Sequence, residues 1–596
     1  MKFAKLAEYF ANLEKITSRN EMTVVLSLLF KAAEQDTIGK ICYLLQGRVV
    51  PLYESLEFGM ADKMVIRAIG EALNASIGDV TKVFKLTGDL GFTVEELRVK
   101  NKELRINKNT TVIDIFALLH KMASTTGEGS QDEKIKLLAE IIKSVDSLSA
   151  RYIVRIVLAK LRLGFSDMTM LDGLSWMLVG SKGEKERLEK AYNVRPDLAF
   201  VAETVKAKGI AGLSHIKPNP GTPIMMARAN RLSSAHEIIE KIGQCAVEYK
   251  YDGLRVQAHY KRIKNSKSNY IKLFSRNLED MTKMFPDICE AIKKQITTDS
   301  AIFEGEIVAY NPETGVFVPF QETMQRKRKY DIQSKAAEIP VKLFAFEILY
   351  IDGKSLLDEP YRIRKKQLQD VIKSGSTIVY AQEELVSTDE KIEEVFDDSI
   401  RKHFEGIIAK KLDGLYEAGM RGWSWIKFKK AMSKKLMDTV DVLVMGYTKG
   451  EGKRTDFGVG QFLTGVYDLK QEKYVTISKI GTGLTDEQFR EFYKRVHKLE
   501  TKEKPQEYDV EKLLTPDVWL KPGLVVEVSC DEITRSAVHS AGRVMEPSKS
   551  GKALSVKLAG FALRFPRLER FRDDKRPEDA TSVKELESMF AAQSKR

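Results

Sequence analysis

The chain has 596 residues, too many for one hydrophobic core, so three or four domains of roughly 100 to 200 residues each are expected. With 43% hydrophobic and 30% charged residues it has the composition of an ordinary soluble globular protein, and no apolar run is long enough to span a bilayer. Net charge is +13, divided as +4, +5 and +4 among residues 1–215, 216–431 and 432–596, which excludes a basic tail and suits a body that touches a polyanion throughout.

The N-terminus, "MKFAKLAEYFANLEK", mixes charges into helical periodicity and lacks a signal-peptide core, so an intracellular protein is expected. Residues 1–215 read as helices. In "DEKIKLLAEIIKSV", Ile135, Leu138, Ile142 and Val145 fall at helical spacing. "LEFGMADKMVIRAIGEAL" from Leu56 and "LRLGFSDMTMLDGLSWML" from Leu161 form a faint repeat at an offset of 105. Each copy reads as a helix stopped at Gly59 or Gly164, then a new helix opened by a small polar cap, Ala61-Asp62 or Ser166-Asp167. Two such units either grip phosphate backbone through paired helix starts or form a duplicated packing hairpin. Arg151, Arg155 and Arg162 lie at helical spacing, a stripe that is usually a solvated face.

"HIKPNPGTPI" is a proline-rich connector, after which strand patterns dominate: "CAVEYKYDGLRVQAHY", "YIKLFSR", "AIFEGEIVAY", "VKLFAFEILYI" and "EGIIAKKL". Helices such as "MFPDICEAIKKQI" separate them, so the middle is an α+β domain on antiparallel sheet. Beyond "WIKFKKAMSKKLMD", short strands ("DVLVMGY", "FLTGVYD", "LVVEVSCDEI") and glycine-rich turns suggest a small β-barrel. Cys42, Cys245, Cys289 and Cys530 form no CxxC pair, which argues against a zinc ribbon or a disulfide framework and for small buried hydrophobes.

Neither GxxxxGK[ST] nor a GxGxxG after a strand is present, so any nucleotide must be held by cations and metal. "EYKYDGLR" offers a candidate. Lys250 and Asp252 would share one strand face, and Gly253 would permit a turn bringing Arg255 back over the site. A lysine becomes nucleophilic when neighbouring cations and partial desolvation favour its neutral form. In order after it come Arg276 in "IKLFSRN", Glu304 and Glu306 two apart on a strand face suited to Mg²⁺, and Phe346, able to stack on a purine. Glu405 in "EGIIAKK" and Arg421, Lys427 and Lys429 in "RGWSWIKFKK" follow, the last two aligned to hold a triphosphate. Each has a plain alternative, Phe346 as core and the two glutamates as a solvated face; their fixed order favours a site.

"KYDGLR", "FSRN", "FEGEIVAY", "FAFEILYIDG", "EGIIAKK", "WIKFKK" and "RFPRLERFRDDKRPEDAT" resemble the motifs of the ATP-dependent DNA ligases, the archaeal-type replicative form in particular, over nearly the whole chain. "RYIVRIVLAKLRLGFSD" is similar to their DNA-binding domain, which capping enzymes and RNA ligases lack. The resemblance implies a helical DNA-binding domain at 1–215, an adenylation domain at 216–431 and an OB-fold barrel at 432–596. It implies sealing of nicks in duplex DNA during replication, repair and recombination, with ATP and Mg²⁺. Lys250 would attack the α-phosphorus of ATP; AMP would pass to the 5′-phosphate of a nick, and the 3′-hydroxyl would displace it.

Carried over by position, Glu248 would contact the adenine edge or its neighbouring backbone, Phe346 would stack on the ring and Ile408 would close the other face. Arg255, Arg276, Arg421 and Lys427 would hold ribose and phosphates, with Lys429 near the α-phosphate. Glu306 and Glu405 would act at ribose or metal, and Arg572 and Lys575 would orient departing pyrophosphate, with "MSKKLMD" as the hinge. The resemblance also implies a monomer in the cytoplasm or on the nucleoid, with a sliding clamp as partner, although no clear clamp motif is present. Two departures stand out: the domain opens "PIMMARAN", with Met225, Met226 and Arg228, and Glu304 replaces the family's usual Asp. The alternatives are RNA ligation or capping, and a DNA-end scaffold that does no chemistry.

Overall fold

The computed structural model describes residues 1–100, 109–264, 269–318, 323–324, 326, 336, 338–402, 404–429, 439–450, 457–547 and 554–594. Among them, twelve α-helices run from Phe3 to Lys208, followed by a 3-10 turn at Ile210–His215. The Ser130–Ser144 helix shows why they form. Ile135, Leu138 and Ile142 recur at helical spacing and are all buried, and Val145 closes the last turn in the same core. The Val112–Ser124 helix opens with a capping box between Thr111 and Asp114.

The repeat is present in the backbone, with a different cause from the expected one. Gly59 and Gly164 both have positive φ, 62° and 76°, and precede the helices Asp62–Leu73 and Asp167–Val179. Neither glycine stops a helix: the preceding ones end at Leu45 and Val157. Nor does the side chain of Ala61 or Ser166 cap; Asp62 and Asp167 sit in the first turn, where a carboxylate complements the helix dipole.

The arginine stripe is likewise not a solvated face. Arg155 is 1% exposed and meets Asp89 and Glu14, each at 3.0 Å. Arg151 pairs with Glu14 and Glu95, and the guanidinium groups of Arg151 and Arg155 lie over Phe92 at 4.0 and 4.7 Å. Arg162 lies beyond the helix end at φ 57° and still reaches Asp89 at 3.4 Å. Three arginines spaced for a surface thus join a shared set of acids inside the bundle.

The chain divides into two compact units, Met1–Lys429 and Lys430–Arg596. In the first, the helical region packs directly on the strands that follow. Tyr53 joins Phe274 and Leu278, and the Met225 amide donates to the Asn193 carbonyl at 2.8 Å. The change at residue 215 is one of secondary structure and not a break in packing.

The strands of this unit are β1 (Arg228–Arg231), β2 (Cys245–Lys250), β3 (Leu254–Lys261), β4 (Tyr270–Ser275), β5 (Ser300–Ala309), β6 (Val341–Ile351), β7 (Lys354–Ser355), β8 (Ile378–Tyr380), β9 (Glu383–Val386), β10 (Gly406–Lys411) and β11 (Arg421–Lys429). They build two sheets, β1-β11-β10-β2-β9 and β4-β3-β5-β6-β7, with β8 also beside β6. All pairs are antiparallel except β1 with β11 and β6 with β8. The first sheet buries Cys245, Val247, Ile407, Ala409 and Ile426 in one core with residues of the Ala235–Ile242 and Asp389–Arg401 helices. The second buries Val256, Phe303 and Leu343 with residues of the Pro286–Gln295 and Tyr361–Val371 helices. Side chains alternate along a strand, so Glu248, Lys250, Ile408, Lys427 and Lys429 take the face away from the helices.

In the second unit, β12 (Val440–Thr448), β13 (Gln461–Asp468) and β14 (Lys473–Ile480) are consecutive antiparallel neighbours in an eight-stranded sheet. Val440, Val442, Val444, Phe462 and Ile477 share a core with Phe489 and Phe492 of the Asp486–Val496 helix. "LVVEVSCDEI" holds two strands, not one: Val525–Ser529 joins β12 and Glu532–Ser536 pairs with Gly560–Arg564 elsewhere. Among the described residues the strand path is open at both ends, so the unit is sheet-rich without a hydrogen-bonded closure. The "MSKKLMD" hinge lies outside the described residues. Among the described residues, no helix is long and apolar enough to cross a membrane.

Candidate active site

The chain leaves the first sheet at Lys250, crosses Tyr251–Gly253 and enters the second at Leu254. The crossing explains the Lys-x-Asp-Gly pattern, with two corrections. The strand ends at Lys250, so Asp252 does not share its face. Gly253 is not among the residues of positive φ, and its need for glycine is space: a Cβ there would stand 2.3 Å from the Ile307 carbonyl oxygen. A glycine lets the crossing lie against β5, close to Glu306.

Lys250 shares a row of the first sheet with Gly406 and, across it, Lys429; Glu248, Ile408 and Lys427 form the next row. Gly406, at φ 138°, again leaves no room for a side chain, since a Cβ would lie 2.2 Å from the Phe428 carbonyl oxygen. That approach sets Glu405 between two amines. Its carboxylate meets Lys250 at 2.6 Å and also Lys429, and its amide donates to the Lys250 carbonyl at 3.0 Å. Burial opposes ionisation of Glu405, but the two ammonium groups outweigh it and hold its pKa at about 2. The reverse holds for Glu306, where burial outweighs Lys250 and Arg255 and raises the pKa to about 7.

Glu304 and Glu306, read as a metal-facing pair, have separate fates. Glu304 is fully buried and accepts from Arg255 at 2.6 Å, Gln257 at 3.0 Å and the Tyr416 hydroxyl at 2.8 Å, which leaves Glu306 as the available carboxylate of β5. Arg255 is thereby tied down, its Nη1 donating to the Ala227 carbonyl at 2.7 Å. Its guanidinium lies 5.5 Å from Phe346 and 5.2 Å from Trp425. Phe346 is aimed by a bulge: Glu304 pairs with Glu347 and Gly305 with Ala345, so Phe346 is the extra residue of β6, half-buried and edge-on to Trp425 at 6.1 Å.

Glu248 is 3% exposed and fully engaged, by Lys410 at 2.6 Å, Lys365 at 2.7 Å and the Tyr361 hydroxyl at 2.9 Å. Burial works against its charge, yet the two lysines keep its pKa below the usual range. Lys410 also donates to the Phe346 carbonyl at 3.0 Å, tying β10 of one sheet to β6 of the other. Sequence reading missed Lys410, Lys365, Tyr361 and Trp425. The one signal for Lys410 was its place in the apolar run "GIIAKK", on the face of Ile408.

At the rim the charges are of one sign. Arg276, Arg421 and Lys427 have no carboxylate partner among the described residues. Burial, then Arg255, Arg228 and Arg421, push the pKa of Arg276 down, and burial, then Lys429, Arg421, Lys250 and Arg231, do so for Lys427. Arg228 and Arg231, which the sequence reading did not place in the site, pair in register with Arg421 and Lys427 across β1 and β11. Of the "PIMMARAN" departure, Arg228 to Asn230 are thus part of the sheet edge, while Met225 packs on Tyr53, Phe274 and Leu278 and Met226 is buried. Such a cluster of cations suits an anion. Among the described residues no three His, Cys, Asp or Glu side chains are grouped to hold a metal. A Mg²⁺ ion held by one or two carboxylates and the substrate's phosphates needs no such cage, and Glu306 with Glu405 suits that donor set. Arg572 and Lys575 lie in the second unit, together on Asp441.

Three family descriptions cover the chain: "DNA ligase N terminus" at residues 2–175, "ATP dependent DNA ligase domain" at 225–429 and "ATP dependent DNA ligase C terminal region" at 455–575. The chain is 44% identical over 596 residues to a "Probable DNA ligase" of Dictyoglomus turgidum, spanning all of this chain and 98% of that protein. It is 38% identical over 602 residues to the DNA ligase of Pyrobaculum calidifontis, spanning all of this chain and 99% of that one. For the DNA ligase of Saccharolobus solfataricus the identity is 37% over 609 residues, with 100% and 98% covered. A solved structure named "Pmar-Lig_PreS3" matches in fold with a TM-score of 0.53 at 18% identity, over 95% of this chain and 99% of that one. Matched in all three regions and aligned end to end with relatives of 37 to 44% identity, archaeal ones among them, the chain belongs to the archaeal-type ATP-dependent DNA ligases.

Proposed function

We propose that the chain seals nicks in duplex DNA by carrying AMP on Lys250. The observation that carries this reading is the Lys250–Glu405–Lys429 ion-paired row beside a rim of uncompensated cations. The amine gives up one proton to solvent before attack and a second to solvent as the phosphoramidate forms. Its nitrogen bonds to the α-phosphorus while the bond to the pyrophosphate oxygen breaks. Glu405 fixes the amine's position, and Lys427, Lys429, Arg276 and Arg421 counter the charge that moves onto the leaving group. Glu306 and Glu405 would hold Mg²⁺, which when bound neutralises phosphate charge. Phe346 and Ile408 would enclose the adenine, with Glu248 at its edge.

AMP then moves to the 5′-phosphate of a nick, and the 3′-hydroxyl displaces it as the strand closes. The second unit is read as an OB-type barrel that brings Arg572 and Lys575 to the pyrophosphate. The enzyme is read as a monomer, with a sliding clamp as a further partner carried by resemblance alone. Incubation with α-labelled ATP and denaturing electrophoresis tests the reading. The wild type takes up label that peptide mass spectrometry locates on Lys250, and Lys250→Ala takes up none; label elsewhere, or on neither protein, overturns it.

A further inference from the structure

The two cations read as meeting the departing pyrophosphate converge on one carboxylate of their own unit. Arg572 Nη1 donates to both oxygens of Asp441, at 2.8 and 3.0 Å, and Lys575 Nζ donates to Asp441 Oδ2 at 2.8 Å. Asp574 takes another edge of the same guanidinium, accepting from Nε at 2.9 Å and from Nη2 at 2.7 Å. Glu527 adds a third carboxylate at 3.5 Å. Arginine grips a phosphate with two parallel N–H bonds, and here all three nitrogens already serve carboxylates.

Asp441 is not a passing surface partner. Its side chain is 12% exposed, its amide donates to Thr581 Oγ1 at 3.0 Å, and its carbonyl accepts from the Thr581 amide at 2.9 Å. The backbone of β12 thus holds the carboxylate under Arg572 and Lys575, which come from a motif 131 and 134 residues later. A triphosphate oxygen that drew on the two edges of the Arg572 guanidinium would compete with Asp441 and Asp574 for them, and Asp441 would also hold one of the three N–H donors of Lys575.

We propose that Asp441 is a positioning residue that caps Arg572 and Lys575 and yields them to the triphosphate, so that it sets the apparent affinity of the adenylation step for ATP. The proposal rests on the reading of those two cations given above. Its effect is confined to the first reaction, because pyrophosphate takes part there and in neither later step.

The test uses the full-length protein with Asp441→Asn, which keeps the shape and one acceptor oxygen and removes the charge. The ATP concentration giving half-maximal lysyl-AMP formation falls roughly three- to tenfold, the range expected for release of a partly exposed ion pair. The pyrophosphate concentration that half-maximally reverses a preformed adenylate falls alongside it, a shift that simple loosening of the fold does not produce. Sealing of a pre-adenylated nick proceeds at the wild-type rate. Asp574→Asn, at an exposed carboxylate, gives a smaller shift in the same direction and decides the matter if Asp441→Asn does not fold. Unchanged or raised half-saturation by both ATP and pyrophosphate overturns the proposal, as does an equal change in sealing of the pre-adenylated nick. Failure of the wild type to form lysyl-AMP would instead overturn the functional reading itself.

Discussion

Two sets of charges in the first unit are built on opposite terms. Around the two sheets three buried acids are matched: Glu347 with Arg364 at 2.9 Å with both side chains 0% exposed, Glu248 with Lys365 and Lys410, Glu304 with Arg255. At the rim, Arg276, Arg421 and Lys427 face one another and further cations, with no acid among the described residues. Buried charges must be paired because desolvation is costly, whereas half-exposed like charges are tolerated because water screens them. The matched set is therefore read as the scaffold that holds the site in place, Glu248 at the proposed adenine edge included, and the surplus set is proposed to meet an anion. Either assignment can be broken by experiment.

The largest effect belongs to the scaffold. Glu347→Ala strands the Arg364 guanidinium in the core and is expected to remove about 3–5 kcal/mol of stability, measured by denaturant unfolding. A loss below about 1 kcal/mol, the level of an exposed pair, would show that burial does not separate the two sets. At the rim, Arg276→Ala leaves stability within about 0.5 kcal/mol and raises the ATP concentration for half-maximal adenylation by roughly tenfold or more, the loss of about 1.5–3 kcal/mol from a charged hydrogen bond. Lost stability without lost ATP affinity would move Arg276 to the scaffold.

His259 is fully buried, accepting from the Gly221 amide at 3.0 Å through Nδ1 and lying 2.9 Å from Gln257 through Nε2, and burial lowers its pKa from 6.5 to about 3. Between those values the unfolded chain binds the extra proton, so His259 makes stability fall as pH drops from about 6.5 towards 3, by at most ~1.4 kcal/mol per pH unit. Above pH 6.5 it adds no slope. Unfolding free energies measured across that window should lose this part of the slope in His259→Asn; an unchanged slope would mean that the imidazole is not buried neutral.

Much of the site was legible because period-two alternation is a local property. Cys245, Val247, Ile407 and Ala409 mark one face as core, and Glu248, Lys250, Ile408 and Lys427 are left on the other whatever the rest of the chain does. The helical first third follows in the same way from a period of about 3.6 residues, but the division of the strands into two sheets, and of "LVVEVSCDEI" into two strands, does not. The arginine stripe at Arg151 and Arg155 misled, because helical spacing gives a common face but not what covers it.

Residue type and spacing thus determined which side chains share a surface, and the named motifs determined the family. Tertiary structure alone decided which charges are neutralised: that Glu304 is enclosed by Arg255, Gln257 and Tyr416 while Glu306 stays available, that Gly253 and Gly406 are demanded by backbone contact, and that Asp441 meets Arg572. The physical reason is range. Alternation is fixed within a few bonds of each residue, but a charge is settled by whichever opposite charge the fold brings within about 3 Å, however far away it lies along the chain.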